Sequence, residues 1–132
     1  MTLFVRGYTT TSPDGRIAVI LTDAEKDMVL GEMRGMLQAV ADIARALARE
    51  EHAAVAAAAK TVGSVAVQND PPALMAKLPL EFKLSGMAMH ESFDRIEAAA
   101  RAGKQVREIM ALLGDHLSLC TGCHANYRFA PR

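Results

Sequence analysis

The stretch "LTDAEKDMVLGEMRGMLQAVADIARALARE", Leu21 to Glu50, has the spacing of a helix rather than a strand. Thr22-Asp23-Ala24-Glu25 is a capping box, in which the Thr22 hydroxyl accepts from the Glu25 amide while the Glu25 carboxylate reaches back. Val29, Met33, Met36, Val40, Ile43 and Leu47 then recur at intervals of four and three. That is the stripe of a helix packed into a bundle.

Downstream, the polar cluster Arg49-Glu50-Glu51-His52 marks a turn into a second helix, "HAAVAAAAKTVGSVAV". Its face of Val55, Ala59, Val62 and Ala66 is made of small side chains that let a bulky group come close. Asn69-Asp70-Pro71-Pro72 ends it, because proline can neither donate to nor continue a helix. Pro79 opens a third helix with the stripe Phe82, Gly86, Met89, Phe93, Ile96 and Ala100, and Gly103 caps it. A fourth runs from about Lys104 with Val106, Ile109, Leu113, Leu117, Cys120, His124 and Tyr127 on one face. Four helices with short connections predict an all-α fold, an antiparallel four-helix bundle over 22–132, whose core is where such proteins build cofactor sites.

Upstream, residues 1–21 read differently. β-Branched and aromatic residues flank the turn signal Ser12-Pro13-Asp14-Gly15, which predicts an N-terminal extended arm or hairpin packed on the helical body.

Composition supports one compact domain. The chain has 132 residues, 51% of them hydrophobic, and 15 basic against 15 acidic side chains. The balanced charge gives no basic field for nucleic acid and no strong pull toward anionic membranes. No apolar run suits a membrane span, and the first residues lack the pattern of an export signal, which on this reading was removed or replaced by an initiator Met.

Both cysteines of the chain lie in "LCTGCHANYR", Leu119 to Arg128. Helical spacing carries Cys120, Cys123 and His124 over one side of the last helix. Cys-x-x-Cys-His is the attachment signature of c-type haem: the two thiols add to vinyl groups as thioethers, and the adjacent histidine becomes the proximal iron ligand. A thioredoxin-like pair would need a βαβ context, and a structural zinc site would need more Cys or His at paired spacing.

Cys120-Thr121-Gly122-Cys123-His124-Ala125-Asn126-Tyr127-Arg128 resembles the terminal signature of the cytochrome c prime family, the class II cytochromes c. The resemblance covers roughly 22–129, strongly on the last helix and by pattern elsewhere. It implies one covalent haem c in a four-helix bundle, periplasmic location, frequent homodimerisation, and an Arg128 guanidinium near His124. Two registers of the first helix remain open. In one, Met33 takes the distal position and ligates iron, giving a six-coordinate carrier of single electrons between redox partner proteins. In the other, Leu30 covers an open iron that binds nitric oxide or carbon monoxide, and Lys26 reaches a propionate. A haem-bearing subunit of a larger oxidoreductase, docked through the arm, is a third expectation. On any of these the protein is an electron-transfer or gas-binding haem protein rather than a catalyst by itself. Of the other histidines, His52 and His116 read as surface residues, and His90 as a packed residue or second axial ligand.

Overall fold

The computed structural model describes residues 5–131; the first four positions of the expected arm lie outside them. The chain is mostly helical and carries a small three-stranded sheet. Strands β1 (Thr9–Thr11) and β2 (Ile17–Val19) precede helices α1 (Asp23–Ala48), α2 (His52–Lys60), α3 (Pro72–Lys77), α4 (Leu80–Arg101) and α5 (Val106–Asn126), and strand β3 (Tyr127–Phe129) follows. A 3-10 turn, Ser64–Val67, links α2 to α3.

The capping box forms as expected: Glu25 N–H donates to Thr22 Oγ1 at 3.2 Å, and Thr22 N–H donates to Glu25 Oε2 at 2.9 Å. The turn between α1 and α2 also falls where the polar cluster puts it. Glu50 there has φ 56°, a left-handed conformation that ends α1 and redirects the chain. His52 Nε2–H donates to the Lys104 carbonyl at 2.6 Å, fastening the start of α2 to the segment before α5.

The second helix is shorter than its apolar pattern suggests. It stops at Lys60, and Gly63 turns extended with φ −70° and ψ −175°. The Asp94 carboxylate accepts from Ser64 N–H at 3.1 Å, so a side chain of α4 takes the place of the next helical turn. Val62 stays buried, whereas Ala66 becomes exposed.

The main core draws Met36, Ile43 and Leu47 from α1, Val55 and Ala59 from α2, Phe93 and Ile96 from α4, and Ile109 and Leu113 from α5. Burying each large apolar side chain contributes about 1.5–3 kcal/mol. A second cluster, Val19, Leu21, Val29, Leu74 and Leu78, packs β2 and α3 against the start of α1.

The arm is a hairpin: Thr9 pairs with Val19 and Thr11 with Ile17, antiparallel. Gly15 supplies φ 84° in its turn, and its N–H donates to the Ser12 carbonyl at 2.9 Å. The tail of the motif departs from the expected helix. Tyr127 is not its last residue but the first of β3, which pairs parallel with β2 through Ile17–Tyr127 and Val19–Phe129. Two aromatics in three residues favour a strand here, since Phe82 offers them a packing partner, with the Phe82 and Tyr127 rings edge to face at 5.4 Å.

Candidate functional site

The last two turns of α5 bring Cys120, Cys123 and His124 together. Both cysteines are free thiols and half-buried. Cys120 Sγ lies 4.0 Å from Met89 Sδ on α4 and 3.9 Å from His116 Nε2 one turn earlier. Burial pushes both thiols above the usual range, and the neighbouring Cys120 raises Cys123 further. Each is therefore a thiol, not a thiolate, at neutral pH.

Cys123 stands on the wall between two spaces. One is a cavity of about 370 Å³ enclosed by α1, the 3-10 turn, α3, α4 and α5. Met33, Met36, Met75, Met87 and Met89 line it, so its surface is dominated by thioethers and aliphatic groups. The other is a groove of about 670 Å³ beside the hairpin, with Arg16, Glu81, Asn126 and Tyr127 on its walls. Ser85, Leu119 and Cys123 border both.

The structure thus brings Met33 and Cys123 to one cavity and leaves the other expected site residues off its wall. His124 is exposed, and its carbonyl accepts from Arg16 Nη1 at 3.4 Å. Leu30 is exposed on α1, and Lys26 is buried near the start of that helix; neither lines the cavity. Arg128 is taken up by the sheet: its Nη1 donates to Ser12 Oγ at 3.1 Å, tying β3 to the hairpin turn.

His116 is not a surface residue but the most enclosed polar group here, at 0% exposure. It continues the Ile109–Leu113 face of α5, a spacing visible in the sequence, and its polarity is satisfied from a second helix. Ser92 Oγ–H donates to the Met89 carbonyl at 3.0 Å, which leaves its oxygen to accept from His116 Nδ1–H. The Nε2 lone pair of His116 then faces the Cys120 thiol. The Phe93 ring packs on the imidazole with centroids 3.9 Å apart. Burial, and then the nearby His90, hold His116 below its ordinary value, so it stays neutral.

His90 is also buried, with Nδ1 2.7 Å from the Val62 carbonyl. Glu32, beside Met33, is pushed up to about 7, first by burial and then by the Asp70 carboxyl across the cavity mouth. Sequence reading had no means of pairing Glu32 with Asp70 or Ser92 with His116, because each pair joins distant segments. Among the described residues, no group of three or more His, Cys, Asp or Glu side chains could hold a bare metal ion. No helix of the described residues is long and apolar enough to cross a membrane.

The chain matches no protein-family model, no curated protein and no solved structure.

Proposed function

We propose that the chain is a periplasmic c-type cytochrome of the cytochrome c prime kind, carrying one covalent haem c and passing single electrons between redox partner proteins. The observation that carries the reading is the position of the cysteine pair. Cys123 borders the Met-lined cavity and the polar groove at once, and Cys120 touches Met89, itself a cavity residue. A haem is an apolar disc with two carboxylates on one edge. The cavity lies within the size range of cofactor sites, and the adjoining groove is polar, with Arg16 on its wall paired to Asp14.

In this reading α1, α2, α4 and α5 form an antiparallel four-helix bundle, with the cofactor held between α1, α3, α4 and α5. Cys120 and Cys123 would hold it as thioethers, and His124 would be the imidazole donor to its iron. Iron held in this way supplies reversible one-electron exchange. Placement on the cavity wall favours the register that presents Met33 over the one that presents Leu30 and Lys26. The thioether and aliphatic part of the lining would lower the reorganisation that accompanies electron transfer.

The second reading, a five-coordinate protein binding nitric oxide or carbon monoxide, is supported by Val29, a side chain that cannot ligate iron and that α1 brings to the cavity wall. The test is production with a haem-attachment system. Haem retained through denaturation, and oxidised and reduced spectra unmoved by carbon monoxide, are the expected results. Prompt carbon monoxide binding selects the second reading, and loss of all haem on denaturation refutes both.

A further inference from the structure

The cavity wall holds one donor beyond the thioethers. His90, on α4, lines the cavity and is only 6% exposed. Its Nδ1 lies 2.7 Å from the Val62 carbonyl. A carbonyl only accepts, so Nδ1 carries the proton and Nε2 carries the lone pair. Among the described residues, no enclosed side-chain nitrogen or oxygen lacks a partner, and no hydrogen bond to His90 Nε2 is found. Nε2 therefore borders open space, and the space beside this residue is the cavity.

A second geometric fact fixes the level of this nitrogen in the bundle. Met89, the residue before His90, lies with Sδ 4.0 Å from Cys120 Sγ, and Ser92, two residues after His90, bonds to His116, one turn before Cys120. The imidazole thus stands at the height of the cysteine pair. A buried histidine with one nitrogen bonded to a backbone carbonyl, and the other presented to a cavity, is how proteins prepare an imidazole for a metal.

We propose, on the basis of the haem reading above, that His90 Nε2, and not the Met33 thioether on the same wall, would be the cavity-side donor to the iron. Imidazole is a good donor to iron, and here the Val62 carbonyl has already removed its rotational freedom. Met33 is a side chain with three rotatable bonds, packed against both core clusters, so turning its sulfur to the iron costs more than using an imidazole already held by a hydrogen bond. Two imidazoles also leave the reduction potential below that of a Met/His pair, because a Met ligand raises it.

The test uses the haem-loaded full chain and three variants, Met33→Leu, His90→Ala and His90→Gln, read by spin state and carbon monoxide affinity. Met33→Leu is expected to stay low-spin. Both His90 variants become high-spin and bind carbon monoxide about tenfold or more tightly, since no internal ligand competes. Added imidazole restores the low-spin spectrum of His90→Ala. Glutamine keeps a donor for Val62, so loss of the low-spin state in that variant reports ligation rather than a collapsed turn. A high-spin Met33→Leu with low-spin His90 variants, or a high-spin wild type, overturns the assignment and leaves covalent haem intact. Absence of retained haem in the wild type overturns the underlying reading as well.

Discussion

Replacing Ser92 with Ala removes one hydroxyl and leaves the most enclosed polar ring in the protein without its partner. His116 is fully buried, and water cannot reach Nδ1 to replace the lost acceptor. The cost of a buried donor left unpaired is about 1–3 kcal/mol, so about 2 kcal/mol is expected, or roughly 6 °C in Tm for a chain of this size. The reverse partner behaves differently. In His116→Leu the Ser92 hydroxyl still donates to the Met89 carbonyl, so the pair is dissolved without an orphaned donor. Adding Ser92→Ala to that background should cost less than about 0.5 kcal/mol, giving a coupling energy of about 1.5 kcal/mol. Urea unfolding followed by circular dichroism at pH 8 measures all four corners of the cycle. If Ser92→Ala costs the same in both backgrounds, the hydrogen bond contributes nothing and the account of His116 fails. The same bond has a pH signature. The folded-state pKa of His116 is depressed below the ordinary 6.5, so the unfolded chain binds a proton that the native state refuses. The stability contributed by the neutral ring is complete above pH 6.5 and is lost as pH falls below it, less steeply in His116→Leu.

Glu32 has the opposite sign: its folded pKa is raised from 4.5 to about 7, so stability falls as pH rises through that window. Taken whole, the shift is worth about 3 kcal/mol, and solvent screening of a half-exposed carboxylate reduces it to about 1 kcal/mol. Glu32→Gln should therefore raise stability by that amount at pH 8 and leave it unchanged at pH 4; equal effects at both, by urea titration, refute the burial argument. Gly7→Ala places a Cβ at φ 63° and 2.7 Å from Pro79 N, against backbone that cannot yield, and should cost about 1–3 kcal/mol by thermal unfolding. Arg128→Ala breaks the bond to the buried Ser12 and should cost about 1 kcal/mol, with amide exchange accelerated first in β2 and β3. Uniform acceleration across the helices would mean that Arg128 has no local role.

Features written in adjacent residues were legible beforehand. The Thr22–Glu25 box, the turn at Glu50 and the cap at Gly103, with φ 69°, all depend on neighbours a few positions apart. The α1 stripe was legible for the same reason, since its period reports which side chains meet the core. The small sheet was legible only by half. Ser12-Pro13-Asp14-Gly15 announces a hairpin, but nothing local tells Tyr127–Phe129 to leave α5 and pair with β2. Gly63 reads as one more small residue in an alanine-rich helix until Asp94 approaches from α4. His116 was misjudged because Asp115 and Ser118 make its neighbourhood look polar, while the inward face is set by Ile109 and Leu113. In the candidate site, the CxxCH motif stands out by spacing alone, whereas Met33 is singled out only through the family resemblance. The tautomer of His90 is legible in neither way, because it depends on a carbonyl 28 positions away.

The pairing of residues 17–19 with 127–129 has a consequence for the order in which the molecule is made. During folding β1 and β2 can form their hairpin early, yet the outer edge of β2 has no partner until α5 has docked. Closing that contact spans nearly the whole chain, so it belongs among the late and slow steps of folding. Until then the C-terminal end of α5, with Cys120, Cys123 and His124, hangs free of the hairpin. The sheet therefore works as a latch closed after the last helix has docked, and the interval before it closes is when the thiols are easiest to reach.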